Sequence, residues 1–289
     1  MNKYLVLYTA DLHGNETQYK KLVNFAIKNS MGAVIIGGDL TPKDPIDIEK
    51  QKRFIEKDLP RLLSPLKQKL PGSKLFLMMG NDDCMANIDM LKNYDPTLWS
   101  LINGNRLNLS DDFDIVGYSY VPITPFGLKD WEKFDLSKVS RDFKIEYELR
   151  KKFCRFKGSK TDNNGWHTFE FIPEMEKIDS IQKDLEARLF TINPQKTLYV
   201  LHSPPNKSNL DQIKTGHAGS FAVREFIEQK KPYVTLHGHI HETVSLSGKF
   251  YDQIGKTSCF SPGNNATDNY LSAVMFDLYN LKTAKRLKL

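Results

Sequence analysis

Five apolar runs of similar design occur along the chain, and each ends abruptly in Asp, Asn, His and Gly residues. They lie in the segments YLVLYTADLHG (4–14), AVIIGGDL (33–40), KLFLMMGNDD (74–83), TLYVLHSPP (197–205) and YVTLHGHIH (233–241). Short apolar runs rich in β-forming residues and bounded by turn residues are typical of buried strands. The pattern therefore predicts five buried strands with polar side chains at their ends.

Helical patterns separate these strands. Apolar residues at three- and four-residue spacing predict a helix over 16–29, and Asn15 is positioned to cap it. The pattern also predicts a helix over 46–70, kinked or broken at Pro60 and Pro65, and a helix over 220–231. Alternating strands and helices indicate an α/β fold.

Other segments predict a second sheet and an insertion. Residues 105–121 resemble a β-hairpin with its turn at SDD, and residues 248–264 and 270–289 form further short strands. The segment 122–194 is rich in charge and weakly periodic. We interpret it as an insertion with one helix at about 173–190 and a loop at GSKTDNNGW, inside a single domain spanning 1–289.

Composition limits the class of protein. The chain has 289 residues, is 40% hydrophobic and has no apolar run long enough to span a membrane. The N-terminus resembles a strand and not a signal peptide, and three widely spaced cysteines favour a reducing, cytoplasmic compartment. The net charge of +6 is mild. Basic runs at 150–160 and 282–289 are interpreted as solvated surface, so nucleic-acid binding is not favoured.

The polar residues at the strand ends form the candidate site. Function in open α/β sheets gathers beyond the carboxyl ends of the strands. Each short motif is weak alone, but together they place carboxylate, amide and imidazole groups at one edge, and neutral imidazole is a common metal ligand. His237 has the same strand parity as the two histidines after it, but it lies inside the apolar run. The polar side chains at this edge are Asp11, His13, Asp39, Asn81, Asp82, His202, His239 and His241.

The order of these motifs resembles the calcineurin-like metallophosphoesterase superfamily. Asp-x-His, Gly-Asp, Gly-Asn, His and Gly-His-x-His follow one another over nearly the whole chain. The stretch from HSPP to SPGN (202–264) resembles the bacterial and archaeal branch of phosphoesterases related to cyclic-nucleotide phosphodiesterases. The resemblance implies a four-layer α/β/β/α sandwich of two mixed sheets, and it implies a two-metal site.

The resemblance implies that seven of these residues are metal ligands. His237 lies outside the family motif, so we interpret it as a structural strand residue. One divalent transition metal ion would bind Asp11, His13 and His241, and the other would bind Asn81, His202 and His239. Asp39 would bridge the two ions. Oxygen and nitrogen ligands without thiolate suit manganese, iron, zinc, nickel or cobalt in preference to copper(I). Manganese is the first candidate. The implied reaction is hydrolysis of a phosphodiester or a small phosphorylated metabolite by a hydroxide that bridges the metals.

One position departs from the family pattern. Most members have His after Gly-Asn, where it contacts the phosphate and protonates the leaving group, but this chain has Asp82. Near two cations the pKa of Asp82 should fall, so we expect an ionised carboxylate that is a poor general acid. His217, before a predicted helix, is a candidate substitute, and the alternative is a loop histidine that packs or caps. Asp82 and His217 are therefore the candidate catalytic residues.

Two other functions remain as alternatives. A metal-dependent nuclease would need a basic groove beside the metals, which the sequence cannot show. A non-catalytic interaction scaffold on the same fold would be expected to lack metal ligands, whereas all seven positions are filled here. The sequence does not determine the oligomeric state.

Overall fold

The structure of the protein is a computed structural model that describes residues 3–141 and 143–289. The strands are β1 (Leu5–Thr9), β2 (Ala33–Gly37), β3 (Lys74–Met78), β4 (Ser100–Leu101), β5 (Arg106–Asn108), β6 (Asp114–Tyr118), β7 (Val121–Pro122), β8 (Glu132–Lys133), β9 (Lys157–Asp162), β10 (Gly165–Glu170), β11 (Thr197–Leu201), β12 (Gln212–Ile213), β13 (Gly216–His217), β14 (Val234–Leu236), β15 (Tyr251–Ile254), β16 (Thr257–Phe260), β17 (Ser272–Asp277) and β18 (Asn280–Lys288).

The helices are α1 (Glu16–Lys28), α2 (Ile48–Arg53), α3 (Leu59–Lys69), α4 (Ile88–Lys92), α5 (Lys144–Lys151), α6 (Pro173–Ile178), α7 (Ile181–Glu186), α8 (Arg188–Thr191), α9 (Phe221–Lys230) and α10 (Thr243–Ser247). Within the described chain, none of them is long and apolar enough to cross a membrane.

Two six-stranded mixed sheets organise the fold. The first has the order β18-β17-β1-β2-β3-β4, and the second has the order β15-β16-β14-β11-β6-β5. In each sheet the central motif strands run parallel, as β1–β2–β3 and as β11–β14. Antiparallel pairs flank them at β1–β17 and β5–β6. The predicted α/β fold of two mixed sheets is confirmed.

Alternation along the strands separates the layers. Val6 and Tyr8 of β1 belong to a core shared with Leu198 of β11, which fills the space between the two sheets. Leu7, between them in sequence, faces the opposite way and packs with residues of α1 and α3. The outer face of the second sheet packs in the same manner on Phe221 and its neighbours in α9. Successive strand residues point to opposite faces, so the layers follow the order helix, sheet, sheet, helix.

The helix predictions are confirmed in part. Helix α1 has the predicted bounds to within one residue, and the Asn15 side chain accepts a hydrogen bond from Gln18 N at 3.0 Å. The predicted 46–70 helix is one run from Ile48 to Lys69, in which α2 and α3 are joined by a π-helical segment, Phe54–Asp58. Pro60 lies just after the π-helical segment, where the regular hydrogen bonding changes, and Pro65 lies inside α3 without ending it.

The segment 122–194 differs from the prediction in two ways. The loop predicted at GSKTDNNGW is a β-hairpin, because β9 and β10 pair in register from Lys157–Glu170 to Asp162–Gly165. The helix predicted at 173–190 is three short helices, α6, α7 and α8. Ser180 interrupts the run, because its hydroxyl caps α7 by accepting from Lys183 N. Sequence periodicity was too weak here to separate these elements.

Candidate metal centre

The loops after five motif strands carry the seven predicted ligands to one place. β1 leads to Asp11 and His13, β2 to Asp39, β3 to Asn81, β11 to His202, and β14 to His239 and His241. Of the eight non-glycine residues with positive φ in the described chain, four are predicted ligands: Asp11, His13, Asp39 and His239. Left-handed backbone costs about 1–2 kcal/mol per residue. The concentration of left-handed residues at these turns points to a function that requires this backbone geometry.

Four of the predicted ligands form one compact cluster. Asp11, His13, Asp39 and His241 each offer a ligand atom, and these atoms lie within 4.8 Å of one another. His13 Nε2 lies 3.4 Å from His241 Nε2 and 3.6 Å from Asp39 Oδ2, and His241 Nε2 lies 3.7 Å from Asp11 Oδ1. This cluster is the set predicted for the first metal together with the predicted bridging carboxylate.

The other three predicted ligands lie directly beside that cluster. Asn81 Oδ1 lies 2.7 Å from His239 Nδ1 and 3.1 Å from His202 Nε2. His202 Nε2 also lies 3.5 Å from Asp39 Oδ2, which therefore lies between His202 and His13. The structure thus brings all seven residues together, and their roles as ligands remain predictions.

The protonation of the histidines follows from burial and neighbouring carboxylates. Burial lowers the pKa of His13 and of His239 to about 3, so both rings are neutral at pH 7, the form that binds metal. Burial also acts to lower the pKa of His202, but Asp39 and Asp11 outweigh it and raise that pKa to about 9. The centre without metal therefore holds a proton on His202 that a cation would replace.

The spacing of these atoms fits a bound cation. Ligand atoms about 2.1 Å from one tetrahedral ion are separated by about 3.4 Å, as trigonometry requires. The nitrogen–nitrogen and nitrogen–oxygen separations of 3.4–3.7 Å in the first cluster match this value. His202 Nδ1 lies 2.8 Å from the carbonyl of Gly37, and such a bond fixes the ring so that Nε2 faces the centre. The residues of the first cluster therefore fit a divalent cation.

The glycines of the motifs make room for the ligands. A Cβ atom at Gly80 would collide with the carboxylate and backbone nitrogen of Asp39. At Gly38, with φ of +107°, it would lie 2.6 Å from His202 Nδ1, and at Gly238 it would lie 2.9 Å from Asp11 Oδ2. Close approach of the backbone is a physical reason for glycine at these positions.

Sequence reasoning missed two buried residues that hold the loops. Asp83 accepts hydrogen bonds from Leu40 N, Thr41 N and Gly80 N at 2.9–3.0 Å, which ties the loop after β2 to the loop after β3. Asn264 donates to the carbonyl oxygens of Ala10 and Asp11. Both lie close to motif residues in the sequence, since Asp83 follows Asp82 and Asn264 follows Gly263, but polar residues in loops were too common to single out.

Asp82 lies at the edge of the centre, against a lysine that sequence reasoning also missed. Lys43 Nζ lies 3.5 Å from Asp82 Oδ2 and 3.2 Å from His13 Nε2. Burial and the charge of Asp39 raise the pKa of Asp82 to about 7, and Lys43 opposes them. The prediction of an ionised Asp82 concerns the metal-loaded centre, and it stays a prediction. Lys43 supplies a positive charge that offsets this carboxylate where a phosphate would approach.

His217 and His237 make contacts of different kinds. The His217 side chain is about one-third exposed in the short β12–β13 hairpin, and its Nδ1 lies 2.7 Å from Asp211 Oδ1. Its hydrogen bonds and ion pairs, as far as the described residues show, reach none of the seven predicted ligands. His237 is fully buried, and its ring contacts the carbonyls of Leu201 and Ser203 and the hydroxyl of Thr235. His237 directly follows β14, and its interpretation as a structural residue stays a prediction that these buried contacts support.

Comparison with known proteins identifies the family. Residues 4–243 match the calcineurin-like phosphoesterases, so the chain belongs to the calcineurin-like phosphoesterase family. This family hydrolyses phosphoester bonds with divalent metals, and the predicted resemblance is confirmed. No curated protein matches the chain.

Solved structures support the fold. One crystal structure is similar over 99% of both chains, with a TM-score of 0.63 and 14% identity. The crystal structure of TT1561 of Thermus thermophilus is similar over 99% of both chains, with a TM-score of 0.58 and 12% identity. At these identities the likeness concerns the fold alone.

Proposed function

We propose that the protein is a binuclear-metal-dependent phosphoesterase that hydrolyses a phosphodiester or a small phosphorylated metabolite. The observation that carries the proposal is the meeting of Asp11, His13, Asp39 and His241 within 4.8 Å, with Asn81, His202 and His239 in contact beside them. Two divalent cations held there, with manganese as the first candidate, would supply Lewis acidity to the phosphate and acidify a water molecule.

The chain's own residues have defined tasks in this proposal. Asp11, His13 and His241 would hold one cation, Asn81, His202 and His239 would hold the other, and Asp39 would be shared by both. Gly37 orients His202 through its carbonyl, and Asp83 holds the two loops that present Asp39 and Asn81. Lys43 neutralises Asp82 at the rim, so that an anionic phosphate meets less repulsion.

The same residues bear on the two alternative functions. A non-catalytic scaffold would not need seven potential ligands brought together with four of them in strained backbone. A nuclease would add a nucleic-acid groove to the same centre, and it is the second candidate. The cytoplasm is the proposed compartment, because Cys84, Cys154 and Cys259 are all free thiols in the structure.

A substrate screen tests the proposal. Purified protein is loaded with Mn²⁺ and assayed with a chromogenic phosphomonoester, bis(p-nitrophenyl) phosphate, cyclic nucleotides and single-stranded DNA. We expect hydrolysis of the diester that is lost on chelation and restored by Mn²⁺. Absence of turnover on every substrate by protein that holds two metals per chain would contradict the proposal, and cleavage of DNA alone would favour the nuclease.

A further inference from the structure

A groove of about 600 Å³ lies between the loop at Ile46 and the β9–β10 hairpin of the 122–194 segment. The hairpin presents one face to the groove, because Trp166 and Thr168 alternate along β10, and Ser159 of β9 pairs directly with Thr168. The same face therefore carries one aromatic ring and two hydroxyl groups.

Two cations line the same groove. Arg155 and Lys157 are exposed, and Arg155 Nε donates to the carbonyl of Lys157 at 2.9 Å, which fixes the guanidinium near the groove wall. Among the described residues that line the groove, no side chain is a carboxylate. Two positive charges without a lining carboxylate favour an anionic ligand group.

Trp166 is the accessible aromatic surface of this groove. Its side chain is 47% exposed, whereas Trp99 and Trp131 are 1% and 6% exposed. An exposed indole on a hairpin loses apolar burial that a core position would give it, and a planar ring stacked on its face would recover that burial. Stacking of a nucleic-acid base on an aromatic side chain contributes about 1–3 kcal/mol.

The groove adjoins the candidate metal centre through two connections. Lys43 contacts His13 at the centre, and Ile46, three residues later, lines the groove. Three residues span at most about 10 Å between Cα atoms. The hairpin also contacts the loop after Asn81, because Ala86 N donates to Thr161 Oγ1 at 3.1 Å. The groove and the candidate metal centre are therefore joined through residues 43–46 and through the loop after Asn81.

We propose that this groove is a recognition site for a mononucleotide unit of the ligand. The base stacks on Trp166, the phosphate binds Arg155 and Lys157, and the hydroxyls of Ser159 and Thr168 bond polar edges of the sugar or base. A nucleotide combines in one molecule an aromatic ring, an anionic group and polar groups that can bond to hydroxyls. The claim that the nucleotide is part of a substrate rests on the proposed phosphoesterase function. The claim that the groove binds a nucleotide does not depend on that function.

Binding is measured on metal-free protein, so that it does not depend on hydrolysis. The probe is AMP. Its binding is measured by calorimetry and by the quenching of tryptophan fluorescence, which reports on the exposed Trp166. Adenosine lacks the phosphate, and ribose 5-phosphate lacks the aromatic base. We expect saturable AMP binding with quenching, and at least about tenfold weaker binding of either fragment, because each lacks one of two favourable contacts.

Variants locate the binding. Trp166→Ala and Lys157→Gln should each weaken AMP binding by about tenfold in calorimetry. Lys152→Gln is the matched control, because Lys152 is exposed in the same segment but does not line the groove. It should bind AMP as the wild type does.

Three results would overturn the groove assignment. The first is that AMP does not bind. The second is that AMP and both fragments bind with equal affinity. The third is that Lys157→Gln and Lys152→Gln weaken AMP binding equally. Failure of the phosphoesterase proposal would instead appear as absent turnover by metal-loaded protein, with AMP binding unaffected. The two failures are therefore distinguishable.

Discussion

His202 Nε2 lies 3.5 Å from Asp39 Oδ2, while its other ring nitrogen contacts the carbonyl of Gly37, two residues before Asp39. The last residue of β2 therefore supplies the contact that orients the imidazole, and the loop after it supplies the carboxylate that faces that ring. The two residues come from different sheets, since β2 belongs to the first sheet and β11 to the second. This relationship joins the carboxyl ends of both sheets into one centre.

The close approach of Gly80 to Asp39 gives a first prediction. Gly80→Ala should displace the Asp39 carboxylate, reduce the metal content, and destabilise the protein by about 1–3 kcal/mol through overpacking. Metal content and urea unfolding measure both effects. Gly72→Ala is the control, because no atom lies within 4 Å of its Cβ position. Normal metal binding and stability in Gly80→Ala would show that the loop is less rigid than its packing indicates.

A buried ion pair in the 122–194 segment gives a second prediction. Lys129 Nζ lies 2.7 Å from Glu132 Oε2, and both side chains are at most 1% exposed. Glu132→Gln leaves the lysine charge buried without its partner, so we expect a loss of about 3–5 kcal/mol in the free energy of unfolding. Glu16→Gln removes an exposed ion pair with Arg61 and should cost less than about 1 kcal/mol. Equal effects of the two variants would contradict the prediction.

His237 gives a prediction about pH. Burial lowers its pKa to about 4, so the folded protein keeps it neutral while the unfolded chain takes up a proton below pH about 6.5. This residue therefore contributes full stability above pH 6.5, and that contribution falls by roughly 3 kcal/mol as the pH drops towards 4. Urea unfolding of metal-free wild type and His237→Gln at pH 7, 6 and 5 checks it. The same pH slope in both proteins would rule out this role.

The catalytic roles of Asp82 and His217 give a fourth prediction. If Asp82 is ionised in the metal-loaded centre, the centre lacks a general acid. General acid catalysis typically raises the rate ~10²–10⁴-fold. We expect faster turnover of activated aryl phosphodiesters than of alkyl phosphomonoesters. Asp82→His should then gain most on substrates with poor leaving groups.

The same assay tests His217. If its imidazole supplies the proton, His217→Ala should slow poor leaving groups more than good ones. His167→Ala is its control, because His167 is another partly exposed histidine, with a side chain 46% exposed. Rates plotted against leaving-group pKa decide the question. Parallel lines for the wild type, Asp82→His and His217→Ala would mean that neither residue transfers the proton.

The sequence predicted the parts of the structure that strong local patterns determine. Apolar runs that end in ligand residues located β1, β2, β3, β11 and β14, and Asn15 located the start of α1. It did not reveal the β9–β10 hairpin, because its strands are polar and mostly exposed or half-buried, without an apolar alternation. Lys43 and Asp83 were missed because their roles depend on contacts between loops that are distant in sequence.

The bridging role of Asp39 is tested most directly by counting metals. Wild type and Asp39→Asn are loaded with Mn²⁺, freed of excess metal and analysed for elemental composition, with Asp89→Asn as a control for loss of an exposed carboxylate. Asp39 lies between His13 and His202 and would bridge both cations, so its amide variant should lose both. We predict two metals per chain in wild type and Asp89→Asn, and none in Asp39→Asn. Two metals per chain in Asp39→Asn would contradict the assignment.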